Sequence, residues 1–144
     1  MEHYIKISEK QMTKHEIREA SFIILYQLET TSRTLEEIAE TTAEAFEMPV
    51  NKAVIALAGS VWSKKEELDG IIGKYSPSRA VTRIAKVNLT ILRIAVYELM
   101  FGGDNVPPKV AINEAIELSK AYADINDKAF INGVLNSCFK DMQG

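Results

Sequence analysis

Residues 106–120 read Val-Pro-Pro-Lys-Val-Ala-Ile-Asn-Glu-Ala-Ile-Glu-Leu-Ser-Lys, and residues 130–135 read Phe-Ile-Asn-Gly-Val-Leu. In the first run the two prolines close one element and open the next. Ala111, Ala115, Leu118 and Tyr122 then recur on one arc of a helical wheel, opposite Asn113 and Glu117. In the second, Phe130, Ile131, Val134 and Cys138 share an arc opposite Asn132. Both runs are therefore amphipathic helices, expected over 108–123 and 127–142. Asn113, Glu117 and Asn132 are read first as structural hydrogen-bonding groups, with ligand contact as the alternative, because a buried amide is costly unless satisfied. Gly133 is read as a place of close helix approach.

The same period runs through most of the chain, and no β-branched stretch alternates between hairpin turn signals, so the fold class is all-α with about six to seven helices. Thr13 with Glu16, and Thr34 with Glu37, form S/T-x-x-E capping boxes that mark two helix starts. The first four helices are expected over 13–30, 35–46, 50–75 and 78–101. Pro77 ends the third, and Gly102-Gly103-Asp104-Asn105 with the two prolines forces a loop after the fourth. A Leu-Tyr-Gln-Leu phrase at 25–28 and a Val-Tyr-Glu-Leu phrase at 96–99 hint at two similar helical subdomains, about 13–75 and 78–144, within one domain. Residues 1–12 have the composition of a loose N-terminal arm.

At 144 residues the chain can bury a sizeable core without disulfides or metals. Its one cysteine, Cys138, and the lack of a signal-peptide pattern or long apolar run give a cytoplasmic expectation with no membrane partner. A net charge of -3 argues against a broad basic coat for nucleic acid. The charge is nonetheless polarised. Glu36, Glu37, Glu40, Glu44 and Glu47 stand without a base between them, whereas Lys74, Arg79, Arg83, Lys86 and Arg93 stand without an acid. On a continuous fourth helix Arg79, Arg83, Lys86 and Arg93 would share a face. Arg93 reads equally as an RNA contact or as a buried base paired with Glu98 or Glu114.

On the first helix Ile17, Ala20, Ser21, Ile24 and Leu28 form a core arc, while Lys14, His15, Arg18, Phe22, Leu25 and Tyr26 fall on another. Bases running into aromatics suit single-stranded RNA, since cations neutralise phosphates and rings stack unpaired bases. Aromatics at helical spacing are more often core, and on the residues alone that plainer reading leads. His3 and His15 are the only histidines, and no zinc motif, nucleophile elbow or phosphate-cradling glycine loop occurs. No enzyme, metal site or cofactor is expected.

The two opening runs resemble the P-x-K-V-A-I-N-E-A and F-x-N-G-V-L signatures of the NusB family of bacterial transcription antitermination proteins. Residues 91–99, Ile-Leu-Arg-Ile-Ala-Val-Tyr-Glu-Leu, are similar to a third family motif, as are Arg18-Glu19-Ala20 and Leu25-Tyr26-Gln27 near the N-terminus. Val61, Leu68 and Asp69 fit a weaker one, so the likeness covers about residues 14–135. It implies two packed three-helix bundles. It also implies RNA contacts at Lys14, His15, Arg18 and Tyr26, with Phe22 on the same arc and Lys10 joining them, and a preference for boxA-type RNA.

The likeness further implies NusE, a small-subunit ribosomal protein, as partner, an assembly with RNA polymerase, and read-through in ribosomal RNA operons. The partner surface would involve Arg83, Asn88, Tyr122, Asp124, Asn126, Asp127 and Phe130. The sequence departs from the family where His15 and Glu16 dilute the basic cluster. It departs again where Asn88-Leu89 replaces Asp-Arg, and where Asn126 replaces a residue that is often acidic. Three further readings stay open at this point: a helical scaffold with little RNA affinity, an accessory module for an RNA methyltransferase, and a homodimer formed through the first-helix face.

Overall fold

The computed structural model describes residues 7–102 and 105–144. Residues 1–6 of the expected arm, His3 among them, and Gly103 and Asp104 of the expected loop lie outside the described residues. The described residues form seven α-helices and no strand. The chain divides at Ser63 and Lys64 into two compact units.

The first unit holds α1 (Lys14–Thr30), α2 (Leu35–Ala45) and α3 (Lys52–Ser63). Both capping boxes form as expected. Thr13 Oγ1 accepts from the Glu16 amide at 3.1 Å while the Thr13 amide donates to Glu16 Oε1 at 2.8 Å, and Thr34 and Glu37 repeat the exchange at 3.2 and 3.3 Å. Each box satisfies amides that the first helical turn leaves without partners. α1 packs on both α2 and α3. Ala20, Ile24, Leu28, Ile38, Val54, Ala58 and Val61 are buried, and each Ile or Leu so removed from water contributes about 1.5–3 kcal/mol. Polar ties fix the packing. Ser21 Oγ donates to the Val54 carbonyl at 3.4 Å, and Gln27 Nε2 donates to Thr42 Oγ1 at 2.9 Å.

The second unit holds α4 (Lys65–Lys74), α5 (Lys86–Phe101), α6 (Pro108–Tyr122) and α7 (Lys128–Met142), with 3-10 turns at Val81–Arg83 and Ile125–Asp127. α5 is its axis and touches α4, α6 and α7. Asn88, Leu89, Thr90, Ile91, Leu92, Arg93, Ile94, Ala95 and Val96 are all buried, so this helix is surrounded rather than one-sided. Arg93 is held by Asp69 of α4 through two parallel bonds of 2.7 Å, a bidentate geometry particular to guanidinium and carboxylate. Asp69 is a partner that the sequence reading did not name. A Cβ on Gly102 would collide with the Glu98 carbonyl oxygen, which is why glycine ends α5.

Several expectations need correction. The helix expected over 50–75 is two helices, because Lys64 leaves helical geometry at φ -105 and ψ 11, so the second unit contains four helices rather than three. The units accordingly divide ahead of α4 and not at the Pro77 break. The helix expected from 78 starts only at Lys86, since Ile84 and Ala85 are extended (ψ 130 and 139). Arg79 and Arg83 therefore lie outside α5 while Arg93 is buried within it, and the continuous basic stripe does not exist. Finally, nothing lies within 4 Å of a Cβ placed on Gly133, so it serves no close helix approach. Asn113 and Asn132 are exposed rather than buried amides, and Asn132 Oδ1 accepts from Asn136 within α7.

Candidate nucleic-acid interface

In the first unit the capped start of α1 puts Lys14 and His15 on the surface, with Lys10 exposed just ahead of them. The Thr13 amide, and next its hydroxyl, hold the Glu16 carboxyl below the ordinary glutamate range, helped by the nearby Lys10 charge. That acid is committed to the cap.

The other residues expected on this face sit deeper. Arg18 is 4% exposed and Phe22 3% exposed, while Tyr26 is half-buried. Phe22 packs its ring against Tyr26, centroids 6.4 Å apart and planes at 26°. The arc is thus graded along the helix, with cations outside at its start and an arginine and ring inside a turn later. Phe22 cannot offer a face to a base in this arrangement. Its role here is to set Tyr26.

Ser8 and Lys10, ahead of α1, are held down, a feature with no signal in the composition of residues 1–12. The Ser8 amide donates to the Val50 carbonyl at 2.9 Å, and Asn51 Nδ2 donates to the Lys10 carbonyl at 3.3 Å. Lys10 and Met12 border a cavity of about 260 Å3 with Glu16, Glu19 and residues 46–49.

In the second unit the expected partner residues separate into two places. Arg83 is exposed on its 3-10 turn. Asn88, by contrast, is 1% exposed in the first turn of α5 and its Nδ2 has no hydrogen-bond partner among the described residues, so it is no part of an accessible surface. At the corner between α6 and α7, Tyr122, Asp124 and Asn126 are exposed, and Asp127 and Phe130 are half-buried. Asp124 Oδ1 accepts from the Asn126 amide at 2.9 Å, which shapes the turn. The Arg79 guanidinium lies 4.3 Å from the Phe130 ring centroid, a cation–π contact that gives this base a structural place. Sequence reasoning missed Ile125, 87% exposed on the same turn, because helical periodicity does not extend into a 3-10 corner.

Elsewhere, Tyr75 donates to Asp141 Oδ2 at 2.5 Å, and Lys74 Nζ stands 3.5 Å from the same atom. The Tyr75 hydroxyl, with the Lys74 charge behind it, holds the Asp141 carboxyl below its ordinary value. Burial pushes the neighbouring Cys138 thiol up, which leaves it a poor nucleophile. Among the described residues no cluster of His, Cys, Asp and Glu could hold a metal, and no helix is long and apolar enough to cross a membrane.

Residues 15–140 match the model of the NusB family. The chain is 40% identical to the transcription antitermination protein NusB of Desulfovibrio desulfuricans over 93% of its own length and 88% of that protein's. It is similar in structure to T. maritima NusB, with a TM-score of 0.77 and 29% identity over 91% of this chain and 93% of the other. It is also similar to a solved chain from a crystal structure of antitermination factors NusB and NusE in complex with dsRNA. There the TM-score is 0.77 and the identity 26%, over 89% of this chain and 96% of that one.

Proposed function

This chain belongs to the NusB family, and on that premise we propose that it is an RNA-binding transcription antitermination adaptor, acting in the cytoplasm with NusE on boxA-type RNA. It joins the RNA polymerase antitermination complex and favours read-through, notably in ribosomal RNA operons, by assembly and without catalysing a reaction. The observation that carries this reading is the exposed group Lys10, Lys14 and His15 at the capped start of α1, followed by Tyr26 on the same helix. Three donors of this kind supply few phosphate contacts, so intrinsic affinity is modest and a shared partner matters. Arg83 and the corner formed by Tyr122, Asp124, Asn126, Asp127 and Phe130 form the partner surface.

The test is binding of the full chain, with and without NusE, to a short boxA-like RNA and to a scrambled RNA across a salt series, with mass measured throughout. Preferential binding of the boxA-like strand, strengthened by NusE, is the expected result. The burial of Arg18 and Phe22 favours a competing scaffold reading, and equal binding of both strands with competent NusE would establish it over ours. A dimer that dissociates as RNA is added would place self-association on the α1 face.

A further inference from the structure

Asn51 carries two hydrogen bonds that belong to different structures. Its Oδ1 accepts from the Val54 amide at 3.1 Å, while its backbone carbonyl accepts from the Ile55 amide at 3.2 Å, which makes it the N-cap of α3. Its Nδ2 donates to the Lys10 carbonyl at 3.3 Å, forty-one positions away in sequence. The cap uses only the oxygen. Serine, threonine or aspartate would serve α3 as well, but none of them can also offer an amide donor to the arm.

The surroundings make this second bond decisive for where Lys10 sits. Among the described residues the arm is otherwise fixed by the Ser8 bond to Val50 and by the Lys10 amide, which donates to Ser8 Oγ at 3.1 Å, while Lys10 and Met12 border one cavity with Phe46, Glu47, Met48 and Pro49. Glu47 holds the left-handed conformation at φ 48 and Pro49 fixes its own φ, so the turn that presents Val50 and Asn51 is a defined platform. A lysine on an untethered arm must lose chain entropy whenever it meets a phosphate, whereas a tethered one has already lost it.

We infer that Asn51 is a positioning residue for RNA binding, tying the arm to the start of α3 so that Lys10 is held beside Lys14 and His15. This rests on the RNA reading above and adds to it a residue that touches no RNA. It also explains how a chain of net charge -3 gains a third ordered cation at this face.

The experiment uses the full chain with NusE and the boxA-like RNA, and compares Asn51→Ser, Asn51→Asp, Lys10→Gln and the double variant Lys10→Gln with Asn51→Ser. Hydrogen exchange at the Ser8 amide and melting temperature are measured alongside. Asn51→Ser keeps a capping oxygen and loses the tether, so it should melt as the unmodified chain does, lose protection at Ser8, and bind RNA roughly three- to tenfold more weakly. The slope of log affinity against log salt should become shallower by about 0.7, the value of one single-strand phosphate contact. Asn51→Asp, which also caps but does not tether, should be no better. In the Lys10→Gln background Asn51→Ser should cost nothing more.

Full RNA affinity in Asn51→Ser, rescue by Asn51→Asp, or a loss that adds in full to that of Lys10→Gln would each overturn the tether. Failure of the unmodified chain itself to bind RNA would be a separate result, and would overturn the functional reading with it.

Discussion

α1 and α5 carry the same ladder with opposite surroundings. Arg18, Phe22 and Tyr26 follow one another at four-residue steps on α1, as Arg93, Tyr97 and Phe101 do on α5. Both arginines are buried, at 4% and 5% exposure, and both ladders set ring beside ring, stacked with centroids 6.4 Å apart on α1 and tilted with centroids 5.6 Å apart on α5. The difference lies one turn earlier. α1 carries exposed Lys14 and His15 there, on a capped end, whereas the matching positions of α5, Leu89 and Thr90, are buried, and α5 is exposed instead at Lys86 and at its far end at Met100 and Phe101. An arginine followed by a ring at helical spacing thus packs inward in both units, and under the proposed function the RNA-facing cations of α1 lie ahead of its ladder while half-buried Tyr26 closes it.

The strongest way to break that comparison is to attack the α5 arginine. Asp69→Asn removes a carboxylate that holds buried Arg93 through two bonds, at a cost of roughly 3 kcal/mol. Thermal unfolding should show a marked fall in melting temperature. A variant that melts with the unmodified chain would mean that Arg93 is not structural. The next effect is smaller. Thr34→Ala deletes a cap in the first unit that takes no part in the α1 face, and should cost about 1 kcal/mol in denaturant unfolding while leaving RNA affinity alone.

Lys14→Gln sharpens the comparison from the other side. Stability should move by no more than about 0.5 kcal/mol, as for other surface changes, while RNA affinity falls. Arg18→Ala would confuse the two effects, because burial makes Arg18 part of the packing.

The smallest effect concerns pH. The Glu16 carboxyl is held low in the folded chain by the Thr13 amide, so its stabilising contribution is complete above the ordinary glutamate range and is lost as pH falls through the lowered value. Side-chain NMR titration should find Glu16 below the ordinary glutamate value, and Thr13→Val, which cannot complete the box, should bring it back towards that value.

Much of the fold was legible because helices announce themselves locally. The capping boxes at Thr13 and Thr34 are four-residue signals, and the prolines at 107 and 108 and Gly102 bound their elements within a residue. The break at Lys64 was not legible, since Ser63-Lys64-Lys65 contains no helix-breaking residue and the interruption is a single turn residue. The late start of α5 was also hidden, because Val81, Ile84 and the bases around them keep a helical period through a 3-10 turn and an extended pair.

At the candidate site the residue types were readable and their depth was not. A helical wheel places Arg18 and Phe22 beside Lys14, but only packing from several elements decides which of them reaches solvent. Asn51 was invisible for a related reason: its bond to Lys10 joins positions that no local pattern connects.

The most direct test of the central claim is one salt titration of boxA-like RNA binding, with NusE present, for the unmodified chain and for Lys14→Gln. The expected result is weaker binding by the variant, a salt slope shallower by about 0.7, and an unchanged melting temperature. An unchanged slope and affinity in Lys14→Gln would contradict it, and would move the RNA surface away from the start of α1.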